Sequence, residues 1–247
     1  MTFGSLVYRY DRIASTNAVA GEAAAQGAPE GAAFIADEQT SGRGLRGRTW
    51  YSPPGKGLYV SFILRPDASL HPLIPLAGGL AARQAVLESS GIRTNLKWPN
   101  DILYKGAKLG GILAEAVFSG SDIQYAVLGI GLNIDHRAED FPPELAGRAL
   151  SLRMITESAP PRETVFFALC RALDDVFARL AAGEGEELVR AFQAEMTFQP
   201  GAPIRLSVPE GETAGTYQGL TARGGLIVSV KGDDRVFHSA EISAADG

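Results

Sequence analysis

The stretch Thr40–Trp50, TSGRGLRGRTW, decides how this chain is read. Gly42, Gly44 and Gly47 satisfy G-x-G-x-x-G, a dinucleotide-binding turn that needs a strand before it and a helix opening after it. AAFIAD (32–37) can supply the strand. RTWYSPPGKG (48–57) follows Gly47 directly, and no helix passes through Pro53-Pro54 and the flanking glycines. The doubly wound parallel fold therefore fails at this point. PPGKG also lacks the earlier glycine and the following Ser/Thr of a phosphate-binding P-loop. A solvated loop with incidental charge is the bland alternative. Against it stand Arg43, Arg46 and Arg48, interleaved with glycines that let backbone approach a ligand closely. Guanidinium forks match carboxylate and phosphate oxygens. The stretch reads as a pliable cationic segment that orders around an anion.

Working outward, the flanking sequence predicts a mixed, largely antiparallel sheet. Strand candidates are AAFIAD, LYVSFIL, TNLKW, DILYK, LGGILAEAVF and YAVLGIGLNI, and DILYKGAKLGGIL reads as a hairpin turning at Lys105-Gly106. Helices are expected over 15–27, 73–89, 162–180 and 185–198. After Pro200 and Gly201 only short strands and turns remain: PIRLSV, TAGTYQGL, GGLIVSV and DRVFHSAEI. That change predicts two domains, 1–199 and 200–247, the second a small β-barrel-like module. The overall class expected is α/β (α+β).

Charge and composition narrow the function classes. Lys and Arg total 23 against 28 Asp and Glu, a net charge of −5, which argues against non-specific nucleic-acid binding by the whole surface. The single cysteine, Cys170, excludes an internal disulfide and a cysteine-rich zinc site, and suits the cytoplasm. No signal peptide is visible, and no apolar run approaches the roughly 18 residues of a membrane helix. His71, His136 and His238 lie far apart without ligand-spaced companions and read as surface or turn residues. Neither a Ser-His-Asp order nor a G-x-S-x-G elbow is present.

A second constellation is LKWPNDILYKGAKLGGILAE (96–115). Asn100 and Asp101 follow Trp98-Pro99, with Lys97 before them and Lys108 on the returning strand. An ordinary turn and hairpin tip would explain the same residues. The two lysines on the hairpin's arms can also converge on one anion. Glu115 reads equally as a site residue or as a paired rim carboxylate.

Taken together and in order, EQTSGRGLRGRTWYSPPGKGLYVSFIL, LKWPNDILYKGAKLGGILAE and VLGIGLNI resemble the biotin protein ligases. The resemblance runs from STN (15–17) to the β-rich tail, and the glycine-arginine loop followed by K-W-P-N-D is specific as a pair. It implies a catalytic domain akin to class II aminoacyl-tRNA synthetases, a mixed sheet with packed helices, followed by an SH3-like module. It implies ATP with Mg2+, formation of biotinyl-5′-AMP, and transfer of biotin to a lysine of a biotin carboxyl carrier domain, as in acetyl-CoA carboxylase. STN at residue 15 leaves no room for the DNA-binding domain that some members carry, and with the acidic net charge DNA is not an expected partner; without a long apolar run neither is a membrane, and a homodimer is compatible.

By that resemblance the catalytic residues are Arg43, Lys97, Asp101 and Lys108. Biotin is expected on Ser15, Thr16, Asn17, Gln39, Gly42, Arg43, Gly44, Leu45, Trp50 and Lys108. The adenylate is expected on Arg43, Arg46, Arg48, Trp50, Lys97, Asn100, Asp101 and Asn133. No residue is assigned to a metal. Lipoate ligases share the implied fold class but not this loop, and a binding module without catalysis is a third reading, disfavoured by the presence of Lys97, Asp101 and Lys108. One departure matters: many relatives have G-R-G-R, whereas Leu45 follows Gly44 here. Either that loss loosens the grip on the adenylate or Arg46 substitutes for the guanidinium; the expectation is that biotinyl-adenylate dissociates faster than from a Leu45→Arg variant, and equal off-rates would sink the idea.

Overall fold

The structure, a computed structural model, describes residues 2–208 and 211–245. Seven strands form the first sheet: β1 (Val7–Ile13), β2 (Ala33–Gln39), β3 (Gly57–Leu64), β4 (Asn95–Lys97), β5 (Asp101–Tyr104), β6 (Ala107–Ser119) and β7 (Asp122–Asn133). Their spatial order is β1-β2-β3-β7-β6-β5-β4. Only β1 and β2 run parallel; every other neighbouring pair is antiparallel. A parallel pair needs a crossover, and helix α1 (Thr16–Ala25) supplies it. The expected mixed sheet is present.

β3 is buried at all eight positions, GLYVSFIL, because both faces of the sheet are covered. One face packs α1 over Phe34, Ile63 and Val127. The other carries α2 (Ile74–Ser90) and α4 (Arg162–Ala181) over the main core. α2 approaches closely because it presents small residues: a Cβ on Gly78 would press on Leu128 and Ile112, and one on Gly79 on Phe192. The Lys105-Gly106 turn forms with φ of 48° and 84°. Two consecutive positive φ values match the twist of a two-residue hairpin.

Three sequence expectations need correction. β1 was not foreseen: its burial follows ieeieei, so this edge strand lacks the two-residue alternation that betrays a half-buried strand. The fourth helix, expected to reach Phe198, is α5 (Gly185–Ala194), and a short, unforeseen α3 (Leu152–Thr156) precedes α4. α5 stops because the next residues pair with β4, through Leu96 N–H to Glu195 O (2.8 Å) and Thr197 N–H to Leu96 O (2.9 Å). DRVFHSAEI, read as one strand, is two: β11 (Asp233–Phe237) and β12 (Glu241–Ala244).

These two join β8 (Pro203–Val208), β9 (Gly211–Leu220) and β10 (Leu226–Val230) in a second, antiparallel sheet ordered β11-β10-β9-β8-β12. Its apolar residues Ile204, Leu206, Tyr217 and Leu226 belong to the same contiguous core as α2 and α5. Trp98, buried beside the Asn100-Asp101 turn, donates Nε1–H to Gly224 O at 2.9 Å. The second sheet thus anchors the segment that precedes the candidate lysine–aspartate cluster. No helix among the described residues is long and apolar enough to cross a membrane.

Candidate active site

A cavity of about 700 Å³ opens over the middle of the first sheet, within the roughly 300–1,000 Å³ usual for small-molecule sites. Its polar floor begins at the N-terminus of α1. Ser15 occupies the N-cap, but its hydroxyl makes no cap bond. Gln39, at the end of β2, does the capping instead: Oε1 accepts from Thr16 N–H (2.8 Å) and from Thr16 Oγ1 (3.0 Å). Ser15 is left free on the cavity wall. Gln39 Nε2 donates to Ser52 Oγ (2.9 Å), which donates to Trp50 O (3.0 Å). Asn17 lies against Gly129 so closely that a Cβ there would overlap its Oδ1.

The glycine-arginine stretch covers this floor. A 3-10 turn over Leu45–Gly47 bends it, with Arg46 at φ 59° and Gly47 at φ 73°. Trp50 lies across a glycine surface: a Cβ on Gly131 would strike its indole, and one on Gly111 its ring edge. The Lys108 ammonium sits 5.3 Å from the indole centroid, within cation–π range. Arg43 pairs with Glu115 at 3.4 Å. Arg46 and Arg48 point the other way, to the second sheet: Arg46 donates to Ser207 O (2.9 Å) and Ser239 Oγ (3.3 Å), and Arg48 forms a two-pronged pair with Glu241. The hydrogen bonds from Arg48 hold the Glu241 carboxyl below the usual carboxylate range.

At the far end, Asp101 stands between two ammonium groups. Lys108 Nζ is 2.5 Å from Oδ1 and Lys97 Nζ 3.8 Å from Oδ2. Register explains the convergence: Lys97 is opposite Asp101 across β4–β5, and Asp101 opposite Gly111 on the strand bearing Lys108. Asn100 commits its amide to Ile112 O (2.8 Å) and Asn133 commits its own to Leu150 O (3.0 Å), so both brace the wall here.

The cavity wall gathers Ser15, Thr16, Asn17, Gln39, Arg43, Gly44, Leu45, Arg46, Arg48, Trp50, Lys97, Asn100, Asp101, Lys108 and Asn133. Gly42 is the one expected biotin contact off that wall; it is buried where a Cβ would meet Trp50 O and Ser52 Oγ. Sequence reasoning missed Phe141 and Glu241, which also line the cavity. Phe141 stacks on His136 at 4.7 Å. His136 is fully buried, not the surface or turn residue expected, because the 135–151 segment folds back over it.

The sequence profile of the Biotin/lipoate A/B protein ligase family matches residues 10–133. The chain is 33% identical over 239 residues to the bifunctional ligase/repressor BirA of Bacillus spizizenii, covering 96% of this chain and 73% of that protein. The chain belongs to the biotin/lipoate protein ligase family. It is also 32% identical over 238 residues to the biotin–[acetyl-CoA-carboxylase] ligase of Mycobacterium tuberculosis, covering 92% and 85%. Among solved structures, the biotin protein ligase of Aquifex aeolicus in complex with biotin and ATP superposes with a TM-score of 0.82 at 29% identity, over 97% of this chain and 98% of that one.

The span matched to the biotin/lipoate ligase family encloses every site residue expected from sequence, Ser15 to Asn133. Ser207, Ser239 and Glu241, which hold Arg46 and Arg48, lie outside it. Gly129 gives a direct test of the floor. Gly129→Ala is expected to displace the Asn17 carboxamide and to weaken biotin binding by about tenfold, the scale of one lost polar contact to a buried group. Calorimetric titration with biotin checks this; an unchanged dissociation constant would remove Asn17 from the pocket.

Proposed function

We propose that this chain is a biotin protein ligase, carried by one observation: a neutral polar floor and a two-lysine cluster open into the same cavity beneath a cationic loop. In the first step a biotin carboxylate oxygen attacks the α-phosphorus of ATP, the P–O bond to the β-phosphate breaks, and pyrophosphate leaves. In the second, a carrier lysine amine attacks the acyl carbon of biotinyl-5′-AMP, forming an amide and releasing AMP and a proton.

The chain's own groups suit those demands. A cyclic urea needs neutral donors and acceptors, which Ser15, Thr16, Asn17 and Gln39 provide. Carboxylate and triphosphate repel, and Lys97, Lys108 and Arg43 supply positive charge where they meet. Asp101 holds the two ammonium groups in place, and Leu45 and Trp50 shield the anhydride from water. In this reading Arg46 and Arg48 turn from the second sheet toward the nucleotide. Magnesium supplies charge neutralisation on the triphosphate; with no group of three or more His, Cys, Asp or Glu among the described residues fit to hold a metal, it would arrive on ATP, as is usual for this ion.

The finer architecture belongs to the same proposal: a class II synthetase-like catalytic domain over 1–199 and an SH3-like module over 200–247. So do a cytoplasmic location, a carrier domain of a biotin-dependent carboxylase as partner without DNA or membrane, and compatibility with a homodimer. The test is incubation with biotin, Mg-ATP and a carrier domain, read by intact mass. Gain of one biotinyl group supports the reading; gain of a lipoyl group only, when lipoate is offered in parallel, moves the chain to the other branch of its family.

A further inference from the structure

Glu115 has no part in that scheme, yet its two carboxylate oxygens serve different bodies. It sits mid-β6 opposite Val127. Oε2 accepts from Asn17 Nδ2 at 2.7 Å, in the floor. Oε1 lies 3.4 Å from Arg43 Nη1, in the covering loop. The floor continues from Asn17 through Ser61, whose hydroxyl is 2.6 Å from Asn17 Oδ1 and 2.7 Å from Thr16 Oγ1. Thr16 then leads through Gln39 and Ser52 to Trp50 O. Both ends of the loop, Arg43 and Trp50, are therefore tied to one polar circuit that Glu115 closes.

The circuit is one proton short. Thr16 spends its hydroxyl proton on Gln39, so Ser61 has a single proton for two acceptors. A ligand that brings N–H donors, as a cyclic urea does, fills that deficit, and fixes the Asn17 carboxamide against Glu115. The carboxylate is then presented to Arg43 in one orientation.

We propose that Glu115 is a positioning residue that makes closure of the 42–50 loop conditional on a filled polar pocket. The proposal rests on the ligase reading and adds a coupling to it. Glu115 touches neither reacting atom: its oxygens contact Asn17 and Arg43, and it does not line the cavity. Its ion pair with Arg43 is half exposed, with side-chain exposures of 42% and 49%, and such a pair alone contributes little. The hydrogen bond from Asn17 to a charged acceptor contributes more.

The loop carries three trypsin sites, Arg43, Arg46 and Arg48, so its closure is readable without activity. Saturating biotin is expected to slow tryptic cleavage in the wild-type loop by about tenfold, as ordering of an exposed segment does. Glu115→Ala should bind biotin about three- to tenfold more weakly by calorimetry, and its loop should still be cut within about twofold of the ligand-free rate at saturation. Glu115→Gln keeps an acceptor for Asn17 but not the charge, should show intermediate protection, and carries the test alone should Glu115→Ala fail to fold. A residue that only props β6 would shift the thermal midpoint and leave protection at saturation intact. Full protection of either variant overturns the proposal, as does a wild-type protein that binds biotin without gaining protection. A wild-type protein that binds no biotin by calorimetry removes the ligase reading itself, and this coupling with it.

Discussion

Lys108→Met is expected to lower biotin-dependent ATP–pyrophosphate exchange by about 10²- to 10³-fold, the usual cost of removing one preorganised charge-stabilising donor. The Lys108 ammonium is 2.5 Å from Asp101 and over the Trp50 ring, at the junction of polar floor and lysine cluster. Two like charges about 4 Å apart repel by about 4 kcal/mol at an effective dielectric near 20. Methionine keeps the length and apolar stem but leaves that repulsion unopposed. Lys97, 3.8 Å from the same carboxylate, cannot cover both positions. Asp101 would also lose its nearest cation. Lys105→Met, at the exposed hairpin tip three residues earlier, is the control and should stay within about twofold of wild type, as surface changes do. Exchange within fivefold of wild type for Lys108→Met would place the chemistry elsewhere in the cavity.

The second large effect is on stability and pH. His136 is fully buried, neither ring nitrogen has a partner among the described residues, and it stacks nearly parallel on Phe141. Burial pushes its pKa down from 6.5 to about 4; Asp140 and Asp135 oppose the shift and Lys56 assists it. Between those values the unfolded chain binds a proton that the folded chain refuses. The stabilisation is therefore complete above pH 6.5 and is lost as pH falls toward 4, by about 3 kcal/mol in all. For a chain of this size that corresponds to roughly 6–12 °C in Tm. His136→Phe preserves the stack, removes two unpartnered polar atoms and should flatten this part of the pH profile. Thermal melts at pH 7.5 and 4.5 give the comparison. Equal losses of Tm in both proteins would show that His136 takes no part in the acid sensitivity.

How much of this was readable beforehand depends on the range of the forces involved. The Lys105-Gly106 hairpin and the largely apolar, wholly buried β3 are local signals, a turn propensity and a run rich in β-branched and aromatic residues, and both appear where expected. Lys97, Asp101 and Lys108 were also recoverable, since hairpin register alone brings them together. The capping of α1 by Gln39 was not, because Ser15 carries the usual local signal and the actual partner is 23 residues away from Thr16. Nor was the attachment of Arg46 and Arg48 to residues 161 and 193 positions further on. Those contacts exist only once two sheets have packed. β1 escaped for a different reason: as a polar edge strand it buries too little on either face to leave a periodic trace.

Ile204, Leu206, Tyr217 and Leu226 share one oily interior with α2 and α5. A chain severed just after Gln199 would leave that interior with a missing wall, and Trp98 without its carbonyl acceptor at Gly224. The tail is thus better thought of as masonry than as an attachment: subtracting it would wet the foundations under Asn100 and Asp101, and the cavity they line would lose its footing.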